Sequence, residues 1–178
     1  MTTTLGAAAG CLGTAAIGFV EKQYIDPGYV YNGVLAGLVS ITSPCAVVSP
    51  FGAIVVGLIG SLVYVGASKG VKAAGIDDAV DAFAVHGACG AWGVIACGLF
   101  ATPFYYSVSY YGDRKDDCAG IFYGGKASGS FAAAFACVFV ILAWVGSTMG
   151  ALFGTLKATG LLRVSQEIED AGLDDSKH

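Results

Sequence analysis

Charged residues cut the chain into long silent stretches. Residues 1–20 carry no charge, and Glu21-Lys22 with the turn signal Asp26-Pro27-Gly28 follows. From Pro27 to Ser68 there is again no charge, a run too long for one membrane span of about 20 residues. Pro44 and Pro50 fall in its middle, within TSPCAVVSPFG, so that segment reads as a short connection between two helices. Lys69, Lys72, Asp77 and Asp78 make the next polar break. A further apolar run leads to the aromatic, polar stretch FYYSVSYYGDRKDDCAG, and a last one precedes the charged end LRVSQEIEDAGLDDSKH. The pattern predicts an all-α membrane protein with five transmembrane helices, over about 4–20, 30–47, 51–68, 81–99 and 127–156. Residues 1–156 form the membrane domain in this reading, and residues 157–178 form a tail.

Composition supports a bilayer as the solvent. The chain is 56% hydrophobic and 12% charged, and an average soluble domain carries about twice that charged share. A net charge of −4 offers no basic face for nucleic acid. Barrel strands are excluded, because the runs are continuous and do not alternate. Cys11, Cys45, Cys89, Cys97 and Cys137 sit in or beside apolar runs, where a thiol behaves as a small hydrophobe. Cys118 alone lies in a polar loop, so neither disulfides nor a metal site is expected. Gly6/Gly10, Gly33/Gly37, Gly66/Gly70 and Gly150/Gly154 have the spacing that lets helix backbones approach in lipid. A signal peptide over residues 1–20 is the competing reading, but the basic leading region such peptides carry is missing.

Five spans put the two ends of the chain on opposite sides. With the tail inside, Lys22, Lys69, Lys72, Lys157, Arg163 and Lys177 are internal, against Arg114, Lys115 and Lys126 outside. That bias favours a cytoplasmic tail.

Candidate chemistry concentrates in DAFAVHGACGAWG, residues 81–93, where His86 stands alone in an apolar run. On an α-helix its face is shared by Ala82, Phe83, Cys89 and Gly90, a surface suited to a close helix contact or a narrow passage. His86 reads either as a structural histidine bonded to a neighbouring helix or as a functional group, since polar side chains in a membrane usually face a bundle interior or cavity. Asp81, five residues earlier, faces another direction. Asp78 and Asp81 suit the start of a helix, where carboxylates meet unpaired amides, and Asp81 alternatively ties helices together.

DDAVDAFAVHGACGAWGVIACGLFA resembles the tenth transmembrane helix of the ammonium transporter, methylammonium permease and Rhesus family. NGVLAGLVSITSPCAVVSPFGA looks like its eighth helix and the following turn, and GLLRVSQEIEDAGLDDSKH is similar to its cytoplasmic tail. The resemblance runs from about Gly6 to His178. It implies the second half of an eleven-helix fold, helices seven to eleven, from a homotrimer in the plasma membrane with one pore per subunit. The first six helices, with the first of two pore histidines, have no counterpart here, so the expectation is a fragment.

By resemblance His86 matches the second pore histidine, with Asp81, Phe83, Gly87 and Gly90 supporting it. The implied activity is ammonium transport: the ion loses a proton and ammonia crosses an apolar channel. No cofactor is implied, the substrate is ammonium or ammonia, and the surrounding partner is lipid. The alternative is a non-transporting membrane fragment or a modulator of full-length trimers. An enzyme is not expected: the spans hold no Ser/His/Asp set, metal-ligand spacing or phosphate loop. In the tail, Ser165 reads as a helix start and Gly172 as its break. The resemblance puts Ser176 where some relatives carry a phosphorylatable threonine. A phosphate beside Asp174 and Asp175 would repel the tail from its docking surface, and a solvated acidic end is the alternative.

Overall fold

The computed structural model describes residues 1–110 and 112–172. It is all-helical over those residues, as the charge pattern predicts. The helices are α1 (Thr2–Lys22), α2 (Pro27–Thr42), α3 (Pro50–Ala73), α4 (Phe83–Phe100), α5 (Pro103–Ser109), α6 (Ala127–Ala158) and α7 (Gln166–Ala171). Helices α1, α3, α4 and α6 are long and apolar enough to cross a membrane. Helix α2, at 16 residues, spans about 24 Å against roughly 30 Å of hydrocarbon.

Prolines that break the apolar pattern begin helices. Pro27, Pro50 and Pro103 each occupy a first helical position, where a missing N–H costs nothing. The residue before each is a cap. Asp26 Oδ1 accepts from Gly28 N at 2.7 Å, Ser49 Oγ from Gly52 N at 3.0 Å, and Thr102 Oγ1 from Tyr105 N at 3.2 Å.

Two expected boundaries move. The second span ends at Thr42 rather than near residue 47, because the turn through Pro44 begins earlier. The third runs on to Ala73 and includes Lys69 and Lys72, which the charge pattern assigns to a break. Lysine is a good helix former, its head reaches water from the helix end, and the dipole favours a cation there.

The chain divides into two compact units, Met1–Val138 and Phe139–His178. In the first, α1 and α2 cross through small residues. A Cβ on Gly10 would lie 2.6 Å from the Gly33 carbonyl oxygen, and one on Gly37 would lie 2.3 Å from that of Gly6. The Gly6/Gly10 and Gly33/Gly37 pairs therefore form one crossing, while Gly66 and Gly70 have nothing within 4 Å. Helices α2, α3 and α4 close over Ala36, Tyr64, Val65, Ala84, Val85 and Cys89, and over Ile41, Val48, Ala53, Val56 and Ala96.

The second unit holds the remainder of α6 and the short α7. Ser165 stands at the start of α7, as the sequence predicts: its carbonyl accepts from Glu169 N at 3.0 Å, while its side chain makes no capping bond and an Arg163–Glu169 ion pair lies beside it. Gly172 ends α7 at φ 87°, a left-handed conformation open to glycine. Ser176, Asp174 and Asp175 lie outside the described residues.

Candidate functional site

Helix α4 starts with two aspartates in different roles. Asp78 is the cap: its carboxylate accepts from Ala82 N at 2.8 Å and Phe83 N at 2.9 Å. Asp81 does not cap. It sits at φ 54°, and its side chain turns back to α3. Tyr64 Oη donates to Asp81 Oδ2 at 2.9 Å, and Ser68 Oγ donates to Oδ1 at 2.7 Å. Lys72 Nζ stands 3.4 Å from Oδ1 and donates to Ser68 Oγ at 3.0 Å. Asn32 Nδ2, from α2, donates to Tyr64 Oη at 2.9 Å. The chain Asn32–Tyr64–Asp81–Ser68–Lys72 thus joins α2, α3 and the start of α4. Burial opposes the Asp81 charge, but the Ser68 and Tyr64 hydrogen bonds and Lys72 outweigh it. Its carboxyl, in the turn ahead of the span, is held below the usual carboxylate value.

Of these residues, only Asp81 stood out in the sequence. Tyr64, Ser68 and Lys72 recur at four-residue spacing on α3, so they share one face. That stripe was the available signal. Its partners, Asn32 and Asp81, come from elsewhere in the chain and no local pattern names them.

His86 lies in the first turns of α4, and these turns are not α-helical. Phe83–Ala88 is a π-helical segment, with hydrogen bonds reaching five residues back, before α geometry resumes over Cys89–Phe100. The face derived for an ideal α-helix therefore shifts. Phe83 folds over Gly87, so that a Cβ there would meet its ring at 2.9 Å. Cys89, assigned to the His86 face, is instead fully buried with its Sγ 3.6 Å from the Gly60 carbonyl oxygen. Gly90 approaches Val39 at ordinary contact distance.

The opposite side of α4 is tightly packed. Gly93 lies against the backbone of Ser40, and Trp92 Nε1 donates to the Val56 carbonyl at 3.0 Å. Ala84, Val85, Cys89 and Ala96 are buried there. Ala82, Phe83, His86 and Gly87 are exposed, with Phe83 at 56%. The imidazole makes no hydrogen bond among the described residues. Packing on α2 and α3 fixes the helix and leaves one histidine, one phenylalanine and a small-residue surface facing outward. Such a face can line a passage or meet another helix. It offers an imidazole that donates at one nitrogen and accepts at the other. Among the described residues no group of three or more histidine, cysteine or acidic side chains is placed to hold a metal ion.

Comparison with known proteins gives a consistent picture. The model of the Ammonium Transporter Family matches residues 1–178. The chain is 42% identical over 183 residues to ammonium transporter 1 member 2 of Arabidopsis thaliana, covering 100% of this chain and 34% of that protein. It is 38% identical over 176 residues to ammonium transporter Amt2 of Archaeoglobus fulgidus, covering 99% of this chain and 36% of that protein. The chain thus spans about a third of the length of these curated relatives. Among solved structures it resembles a sensor Amt protein with a TM-score of 0.83 and 26% identity, over 99% of this chain and 40% of that one. Mep2 of Saccharomyces cerevisiae shares the fold at a TM-score of 0.80 and 24% identity, over 92% and 38% of the respective chains.

Proposed function

The chain belongs to the Ammonium Transporter Family, and from that premise we propose that it builds the second half of an ammonium-conducting unit, with His86 on the pore wall. Membership makes it part of a multi-pass membrane protein. In this reading α1, α2, α3, α4 and α6 are the five spans equivalent to helices seven to eleven, residues 1–156. Residues 157–178 are a cytoplasmic tail, the unit sits in the plasma membrane, and it assembles as a trimer.

The observation that carries the reading is His86 itself. It stands exposed on an apolar helix whose other side is fully packed, in a π-helical turn of the kind found at functional sites. The exposed surface of Ala82, Phe83, His86 and Gly87 is one wall of a narrow apolar path.

Physical chemistry then assigns the roles. An ammonium ion entering hydrocarbon loses its hydration at large cost, whereas neutral ammonia loses far less, and one or two hydrogen bonds offset that loss. His86 supplies a donor or an acceptor on the exposed face of that helix, whereas Trp92 Nε1 is turned to the Val56 carbonyl. Phe83 and Gly87 set the width beside it. Potassium has no proton to lose and is excluded by the same desolvation. Asp81 and Asp78 hold the turn from which His86 projects.

The test is uptake in cells lacking their own ammonium transporters, using the protein that carries this chain. His86→Ala is expected to reduce ammonium uptake at least about tenfold, the scale of losing a bond to a polar ligand in a dry site, or to admit potassium. Unchanged uptake and unchanged potassium exclusion would make His86 a structural residue and overturn the reading.

A further inference from the structure

Where α1 and α3 end and α2 begins, three lysines surround a cavity of about 370 Å³. Two are spoken for at the rim: Lys22 pairs with Asp26, and Lys69 pairs with Glu21. Lys72 differs, because its carboxylate partner is recessed. Asp81 has a side chain only 14% exposed, while that of Lys72 is 66% exposed and reaches in with its ammonium head alone. That head stands 3.4 Å from Asp81 Oδ1 and donates to Ser68 Oγ at 3.0 Å. The other Asp81 oxygen is occupied by Tyr64, itself held by Asn32.

The group in this position is a primary ammonium with N–H donors aimed at a carboxylate and a hydroxyl. A free ammonium ion presents the same charge and the same donors in a smaller volume. We propose that Asp81, Ser68 and the cavity beside them form a second ammonium site, away from His86, which the tethered Lys72 head occupies as an intramolecular competitor. The inference rests on the ammonium reading above and adds to it a site at the helix ends with its own regulation. Withdrawal of Lys72 leaves Asp81 as the one carboxylate of the cavity without a lysine, since Lys22 and Lys69 stay with Asp26 and Glu21. The lysine is displaceable because the pairing is long, at 3.4 Å, and the Lys72 side chain is itself largely exposed, so that water can replace it at the recessed carboxylate.

A long pair with an exposed lysine shifts an equilibrium by up to about fivefold. The experiment is a thermal-stability titration of the purified protein carrying this chain, with ammonium chloride replacing sodium chloride at constant ionic strength. Lys72→Met is expected to lower the half-maximal ammonium concentration by about two- to fivefold, whereas Lys72→Arg keeps the parent value. In the Lys72→Met background, Asp81→Asn abolishes the ammonium-specific shift and Ser68→Ala weakens it, so a poorly folding aspartate variant does not decide the matter alone. His86→Ala in that background leaves the shift in place, which separates this site from the pore wall. Tetramethylammonium, with no N–H donor, gives no shift.

An unchanged titration in Lys72→Met overturns the inference, as does an equal response to potassium or tetramethylammonium, or a shift lost with His86. If uptake by the parent fails while the Lys72-dependent shift persists, the transport reading falls and the site stands. If uptake is intact and the titrations coincide, only the site falls.

Discussion

Tyr64→Phe isolates the link between the helix core and the turn that carries His86. The substitution removes one oxygen and keeps the ring, which is 3% exposed and packed among Val65, Ala84 and Cys89. That oxygen makes two bonds at 2.9 Å, donating to Asp81 and accepting from Asn32. A bond to a charged acceptor contributes about 1.5–3 kcal/mol and a neutral one about 0.5–1.5 kcal/mol. Asp81 retains Ser68 and Lys72, and Asn32 is only half-buried, so the lower part of the combined range applies. The expected loss is about 2 kcal/mol, measured as unfolding free energy in detergent. The backbone should report the same event: Val85 N donates to the Asp81 carbonyl at 2.9 Å, so amide exchange over residues 82–88 should accelerate while that of α1 does not. A double-mutant cycle with Asp81→Asn should give a coupling of about 1 kcal/mol or more. A loss below about 0.5 kcal/mol, or additive single variants, would refute the claim that this network holds the histidine-bearing turn.

Three further outcomes follow from the same geometry. Gly37→Ala puts a methyl 2.3 Å from the Gly6 carbonyl oxygen and should destabilise by about 1–3 kcal/mol, whereas Gly66→Ala, with open space, should not; equal melting temperatures for the two would contradict the α1–α2 crossing. Asp78→Ala removes the acceptor of two helix-start amides and should cost about 1 kcal/mol in chemical unfolding, with Asp77→Ala as the neutral control. The Asp81 carboxyl is lowered in the folded protein, so its contribution is complete above the unfolded value near pH 4 and is lost as pH falls through the lower folded value; Asp81→Asn should remove that part of the acid dependence, and an identical acid profile in both proteins would count against it.

Much of the fold was legible because charge and proline have few places to go in a bilayer. The uncharged runs located the helices, and Pro27 and Pro50 proved to be first-turn residues following polar caps. Lys69 and Lys72 misled, because a charged residue at a helix end looks the same in sequence as one in a loop. The Gly6/Gly10 and Gly33/Gly37 pairs meet, whereas Gly66/Gly70 carries the same spacing without a partner. Spacing alone does not say which face a neighbour takes.

At the candidate site, His86 was conspicuous as the one imidazole in an apolar run, and Asp81 as a carboxylate at its edge. Their surroundings were harder to read. The π-helical turn rotates the face that 3.6-residue periodicity assigns, burying Cys89 away from His86. Asp81 is claimed by Tyr64 and Ser68, 17 and 13 residues away, while Asp78 takes the cap that either aspartate satisfied on sequence grounds.

The most direct measurement is flux through the purified protein carrying this chain in sealed liposomes, comparing parent and His86→Ala with ammonium and potassium gradients in turn. If His86 lines the path, the parent carries ammonium and excludes potassium, and the alanine variant loses ammonium flux or its discrimination against potassium. A variant that matches the parent in both, from folded and equally inserted protein, would contradict the assignment of His86 to the pore wall.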